Sequence, residues 1–281
     1  MKKKIILGTA QFFSNYGIAN KKKTNKKIVK SILNYAYKKN IRYLDTAISY
    51  KNCDKNLGKI GVRKWKIITK VNFPIDGDKM DIKKKVLRSM RELKINKFYG
   101  ILVHNSCAVS KISFLNNYKE LIKLKKMGIT QKIGISIYGS KKLNFFLKKV
   151  KPDIVQTSLN IFDQRLVNFL NKKKIKKVEF YARSIFLQGL LIQKSIPIRF
   201  KKFSNYFKKL KDLCKENKIK PIELLIYFVL KQKKIKNLIF GVNSKTQLKE
   251  IINIIKNKKI KRIHFKKIPH VKANFIDPRL W

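Results

Sequence analysis

An alternation along the chain limits its folding choices more than any single motif. Eight short apolar runs recur: KIIL (Lys4–Leu7), RYLDT (Arg42–Thr46), WKIITKV (Trp65–Val71), GILVH (Gly100–His104), KIGISI (Lys132–Ile137), DIVQTS (Asp153–Ser158), VEFYA (Val178–Ala182) and NLIFGV (Asn237–Val242). They are continuous and rich in β-branched residues rather than alternating polar with apolar. That is the pattern of parallel strands covered on the outside by helices. Between them lie apolar stripes at helical spacing: Ile28, Ile32, Leu33, Ala36; then Ile82, Val86, Met90, Leu93; then Leu121, Leu124, Met127, stopped by Gly128; and last Leu248, Ile251, Ile252, Ile255. Lysines occupy the opposite faces. Pro221 suits the first turn of a further helix, PIELLIYFVL.

Eight strands alternating with helices in 281 residues predict a (β/α)8 TIM barrel, one domain over residues 1–281. The competing doubly wound sheet wants a glycine-rich phosphate turn after its first strand, and LGTAQFF is not GxGxxG. In a barrel, reactive groups belong at the C-terminal ends of the strands.

Composition narrows the function classes. No run of about 18 apolar residues is present, so membrane insertion is not expected. The start, MKKKIILGTAQFF, imitates a leader peptide, but its apolar run is cut by Gly8 and Thr9. Three cysteines, Cys53, Cys107 and Cys214, suit a reducing cytoplasm, and His104 with Cys107 falls short of a metal site. The net charge is +55, which invites a nucleic-acid reading. Only nine of the 70 basic residues are arginine, however, and the lysines are spread over the whole chain on solvent faces. We read the charge as compositional background that attracts anions without specifying a nucleic acid.

The polar residues at the predicted strand ends converge. Strand two ends in Asp45, strand three in Lys70 and strand four in His104, with Tyr50 in the loop after strand two. Each has an ordinary explanation alone: an ion pair, a surface lysine, a core histidine, a packed ring. At successive strand ends they suggest proton donation to a carbonyl oxygen. A free phenol has a pKa of about 10, and a nearby ammonium lowers it. Lys70 supplies that ammonium in this scheme, Asp45 keeps Lys70 charged, and a neutral His104 orients the substrate oxygen. No activated serine or cysteine is evident, so a hydride from a nicotinamide is the natural attacking group.

These residues resemble the aldo/keto reductase family. LDTAISYKNCDKNLG is similar to its Asp-Thr-Ala-x-x-Tyr-Gly-x-Ser-Glu-x-x-Leu-Gly signature, IITKV to its lysine strand and ILVHN to its histidine strand. KIGISIY, DIVQTSLNIFDQR, ARSIFLQGLL and IFGVNSKTQLKEI resemble the later strands. The resemblance implies a nicotinamide cofactor, NADPH by family expectation with NADH open, and no metal. It implies a catalytic set of Asp45, Tyr50, Lys70 and His104. Carried over by position, Ser136 and Gln156 resemble the residues that hold the carboxamide, and Gly8 and Thr9 the first-strand cofactor contacts. Arg183 and Ser184 fall at the seventh strand, and Gly241, Asn243, Gln247 and Glu250 fall at the adenosine end.

There are departures. Lys51 replaces the glycine after the tyrosine, and Cys53 and Asp54 replace serine and glutamate. Ile137 stands where many members carry a carboxamide-holding asparagine, and Arg183 where many carry a nicotinamide-stacking tyrosine. The ARSIFLQGLL segment and the DPRLW ending resemble members tied to bacterial surface-sugar biosynthesis, which implies a sugar-type carbonyl substrate. The expected activity is reduction of an aldehyde or ketone in the cytoplasm. The departures leave a second reading, a cofactor-binding sensor or scaffold of the same fold. The tail IHFKKIPHVKANFIDPRLW is short, so an open pocket is expected.

Overall fold

The computed structural model describes residues 4–18, 23–75, 81–172, 175, 177–257 and 271–281. Eight parallel strands close into a barrel in chain order, each neighbour in sequence being its neighbour in space. They are β1 (Lys4–Gly8), β2 (Tyr43–Asp45), β3 (Lys66–Val71), β4 (Phe98–Val103), β5 (Thr130–Ile137), β6 (Ile154–Ser158), β7 (Glu179–Arg183) and β8 (Ile235–Gly241). The helices are α1 (Lys26–Lys38), α2 (Cys53–Ile60), α3 (Ile82–Leu93), α4 (Lys111–Lys126), α5 (Leu143–Lys149), α6 (Arg165–Asn171), α7 (Ser204–Glu216), α8 (Pro221–Lys231), α9 (Lys245–Lys256) and α10 (Ala273–Ile276). All eight predicted runs lie on these strands, and Pro221 opens α8. No helix among the described residues is long and apolar enough to cross a membrane.

The bore is filled by Ile6, Tyr43, Ile68, Leu102, Ile154, Tyr181 and Ile239, one side chain from each strand except β5. At that level β5 carries Gly134, paired in register with Ile154. A Cβ there would lie 2.0 Å from the Ile154 carbonyl oxygen, so only glycine lets the two strands approach. The larger apolar cluster lies between the barrel wall and the helices.

The predicted stripes need shifts of phase. Ile28 is 39% exposed and Val29 takes its inward place. Asn25 caps α1 by accepting from the Ile28 amide, which puts Ile28 in the first turn, rotated off the core-facing side. Met127 is 56% exposed, because α4 ends at Lys126 before it can turn inward. On α3, Ser89 is buried while Met90 is only partly so, and on α9 Ile254 is more buried than Ile255. Of the expected short tail, residues 263–270 lie outside the described residues.

Register sets the level of the functional residues. Gly8 pairs with Asp45 on one side and Gly241 on the other. Ser136 pairs with Gln156, and Ser158 with Arg183. All of these lie at the C-terminal end of the barrel.

Candidate active site

Asp45 is the hub of this end. Lys70 Nζ donates to its Oδ2 at 2.7 Å and to the Thr46 carbonyl at 2.8 Å. Gln156 Nε2 donates to its Oδ1 at 2.7 Å. Asp45 is 5% exposed and Lys70 2%, so this is a buried ion pair in which each carboxylate oxygen has a donor. Burial pulls the Lys70 ammonium below its ordinary pKa, and the Asp45 carboxylate opposes that pull. The partnership with Lys70 follows the sequence expectation; the glutamine brace does not appear in it, because nothing local links positions 45 and 156.

Tyr50 and His104 sit above the pair. Their rings meet edge to face with centroids 6.2 Å apart, and Lys70 Nζ lies 5.6 Å from the Tyr50 centroid. Burial, then the Asp45 charge, raises the Tyr50 phenol above its ordinary range, and Arg183 acts against that rise. The sequence reading gave the lowering role to Lys70. In the structure Asp45 absorbs the lysine charge, and the cation that favours the phenolate is Arg183. Burial, followed by Lys70 and Arg183, lowers the His104 imidazole to about 3. His104 is therefore neutral at pH 7. Ser49 Oγ lies 3.3 Å from its Nδ1.

These four residues share one cavity of about 250 Å3. It runs from Tyr50, Lys70 and His104 past Arg183 and Ser184 to Gly241, Asn243, Gln247 and Glu250, with Gly8 in its floor. Thr9, Ser136 and Gln156 are buried beside the lining rather than in it. Thr9 has a structural task, since its hydroxyl donates to the Asp45 carbonyl at 3.1 Å and ties β1 to β2. Sequence reading missed Tyr16, Tyr138 and Gln188, which also line the cavity. They come from loops after β1, β5 and β7, where no periodicity marks a residue as inward. Two of these loops are joined, because the Ile18 amide donates to the Gln188 carbonyl at 2.9 Å.

Five buried side-chain polar atoms lack a partner among the described residues, and two of them are at the cavity: Gln156 Oε1, just behind its lining, and Asn243 Oδ1, in it. Buried polar atoms are ordinarily satisfied, so an orphan points to a ligand or solvent. One orphan lies by the reactive cluster and the other at the far end. At that far end a Cβ on Gly241 would come within 2.2 Å of Gln11 Oε1, so the Gln11 side chain packs directly on the Gly241 backbone.

A sequence-family model described as "Aldo/keto reductase family" matches residues 4–272. The chain belongs to that family. Solved structures agree on the fold. Aldo-keto reductase AKR11C1 from Bacillus halodurans, in its holo form, superposes with a TM-score of 0.73 at 18% identity, covering 91% of this chain and 87% of that one. PA4992 from Pseudomonas aeruginosa, a protein assigned to the aldo-keto reductases, superposes with a TM-score of 0.65 at 18% identity, covering 89% of each chain. No curated protein matches by sequence. Aldo/keto reductases are oxidoreductases that work with nicotinamide cofactors on small carbonyl compounds.

Proposed function

We propose that the chain reduces an aldehyde or ketone to an alcohol with NADPH, and that Tyr50 delivers the proton. The observation that carries this reading is the buried Asp45–Lys70 pair lying directly beneath Tyr50 and His104 in one cavity. When bound, a reduced nicotinamide supplies a hydride to the carbonyl carbon. Ser136 and Gln156 are the residues proposed to hold its carboxamide, with Gly8 beneath. Gly241, Asn243, Gln247 and Glu250 are proposed to hold the adenosine end. Lys245 is the basic residue nearest that end in sequence, and its Nζ leans 5.6 Å from the Tyr35 ring.

The protein residues divide the work as follows. Tyr50 stays protonated throughout the neutral range, so it always holds the proton that the developing alkoxide needs. Lys70 uses two of its three N–H bonds on Asp45 and Thr46; its third is proposed to assist Arg183 in meeting the negative charge that passes to the Tyr50 oxygen. We assign the Nε2–H tautomer to His104, in which Nδ1 accepts from Ser49 Oγ 3.3 Å away and the Nε2 proton is offered to the substrate oxygen. The sugar-type substrate rests on the likeness of ARSIFLQGLL and DPRLW alone, and a cytoplasmic location on cysteine usage.

The test is Tyr50→Phe. General acid catalysis contributes roughly 10²–10⁴-fold, so turnover with an aldehyde panel should fall by that factor. Cofactor affinity, read by fluorescence titration with NADPH and NADH, should be retained. Full activity in Tyr50→Phe would remove the proposed role, and absence of binding to both cofactors would remove the whole reading.

A further inference from the structure

Arg183 ends β7 on the side of the mouth that faces Tyr50 and His104, and it lines the same cavity. Its guanidinium donates to the Ile137 carbonyl at 3.1 Å and to Ser184 Oγ at 3.2 Å, and it stacks 4.0 Å above the Tyr138 ring. No carboxylate among the described residues stands within ion-pair distance of it. The other charges of the cavity are placed differently. Lys70 is neutralised by Asp45, His104 is neutral, and Glu250 lies on α9 at the far end. Its neighbour across the Tyr138 ring, Arg279, is 4.2 Å from the same centroid, but both its Nε and Nη2 are held by Asp277 at 2.8 and 2.5 Å. Arg183 is thus a partly buried cation with its charge unmet, aimed into a reaction chamber. Removing such a charge from water without a counter-ion is costly, and a planar guanidinium pairs best with a carboxylate or phosphate. Tyr138, pinned between two guanidinium planes, fixes the orientation of the fork.

We propose that Arg183 is a specificity residue that binds an oxyanion on the substrate, so the preferred substrate is a carbonyl compound bearing a carboxylate or phosphate. This rests on the carbonyl-reductase reading above. It differs from the cofactor-stacking position that the family pattern gives residue 183, and the Ile137 main-chain oxygen steadies the guanidinium.

The experiment compares matched pairs at about 0.3 M salt, where diffuse attraction to the lysine-rich surface is screened. One pair is 4-carboxybenzaldehyde and methyl 4-formylbenzoate. The other is glyceraldehyde 3-phosphate and glyceraldehyde, which separates the phosphate from the carboxylate. Each is followed by NADPH oxidation, and by calorimetric binding to the NADP+-loaded protein. The anionic member of at least one pair should be preferred by about tenfold to a hundredfold in kcat/KM or affinity. Arg183→Met should bring that ratio to near one, and Arg183→Lys should restore part of it. Equal handling of charged and neutral members by the native protein overturns the proposal while leaving the reductase reading intact. So does a preference that survives Arg183→Met, or cofactor affinity that falls in parallel with the ratio. Failure to bind either cofactor is instead a failure of the reductase reading.

Discussion

Lys70 Nζ lies 2.7 Å from Asp45 Oδ2 at the floor of the cavity, with almost no solvent reaching either group. Breaking such a pair from one side leaves an uncompensated buried charge, which costs about 3–5 kcal/mol. Asp45→Asn and Lys70→Met should each lower the urea-unfolding free energy by that amount and remove most turnover. The double variant Asp45→Asn/Lys70→Met should recover most of the stability and none of the activity. If the double variant is as unstable as the singles, the pair is not what burdens them.

The neutral His104 ring predicts a flat acid limb. Its pKa is lowered to about 3, so kcat/KM should show no step from this residue between about pH 5 and 7. A stability effect accompanies this. The unfolded histidine takes a proton below about 6.5 while the folded one does not until about 3, so falling pH favours the unfolded chain across that window. His104→Gln should flatten the loss of urea midpoint between pH 7 and 5.

Asp54 offers the opposite sign. It accepts from Ser89 at 2.6 Å and from Thr46 at 3.3 Å, yet burial still raises it to about 6. The folded carboxyl holds its proton where the unfolded one, near 3.9, does not, so this group favours folding at low pH and opposes it as pH rises through about 6. Asp54→Asn should therefore gain about 1–3 kcal/mol at pH 7, with the gain closing by pH 4, as read by urea unfolding at both values.

Gly58 closes the signature segment for a packing reason. A Cβ there would lie 1.9 Å from the Glu92 carbonyl oxygen at the end of α3, a main-chain atom that has little freedom to move. Gly58→Ala should destabilise by about 1–3 kcal/mol through overpacking while leaving the cofactor constant near its native value, measured by urea unfolding and fluorescence titration.

The barrel was readable in the order of its apolar runs because parallel strands sheathed by helices need continuous hydrophobicity, and little else gives eight such runs in series. Stripe phase was less readable. Whether Ile28 or Val29 faces inward depends on where Asn25 starts the helix, and both residues are apolar. Asp45 with Lys70 was legible because both sit at strand ends on adjacent strands. The Arg183–Tyr138–Arg279 stack was not, since its members come from three distant stretches: Arg183 stands out as a departure from the family pattern, but nothing local places Tyr138 and Arg279 against it.

Gln156 grips Asp45 from 111 positions along the chain, and this bears on the order of events in folding. The early strands and helices form from near neighbours, but that grip waits until β6 has docked and the ring has closed around the bore. Circular dichroism can regain its native value before then. Regain of a catalytic signal reports the later event, the arrival of the second half of the chain against the first.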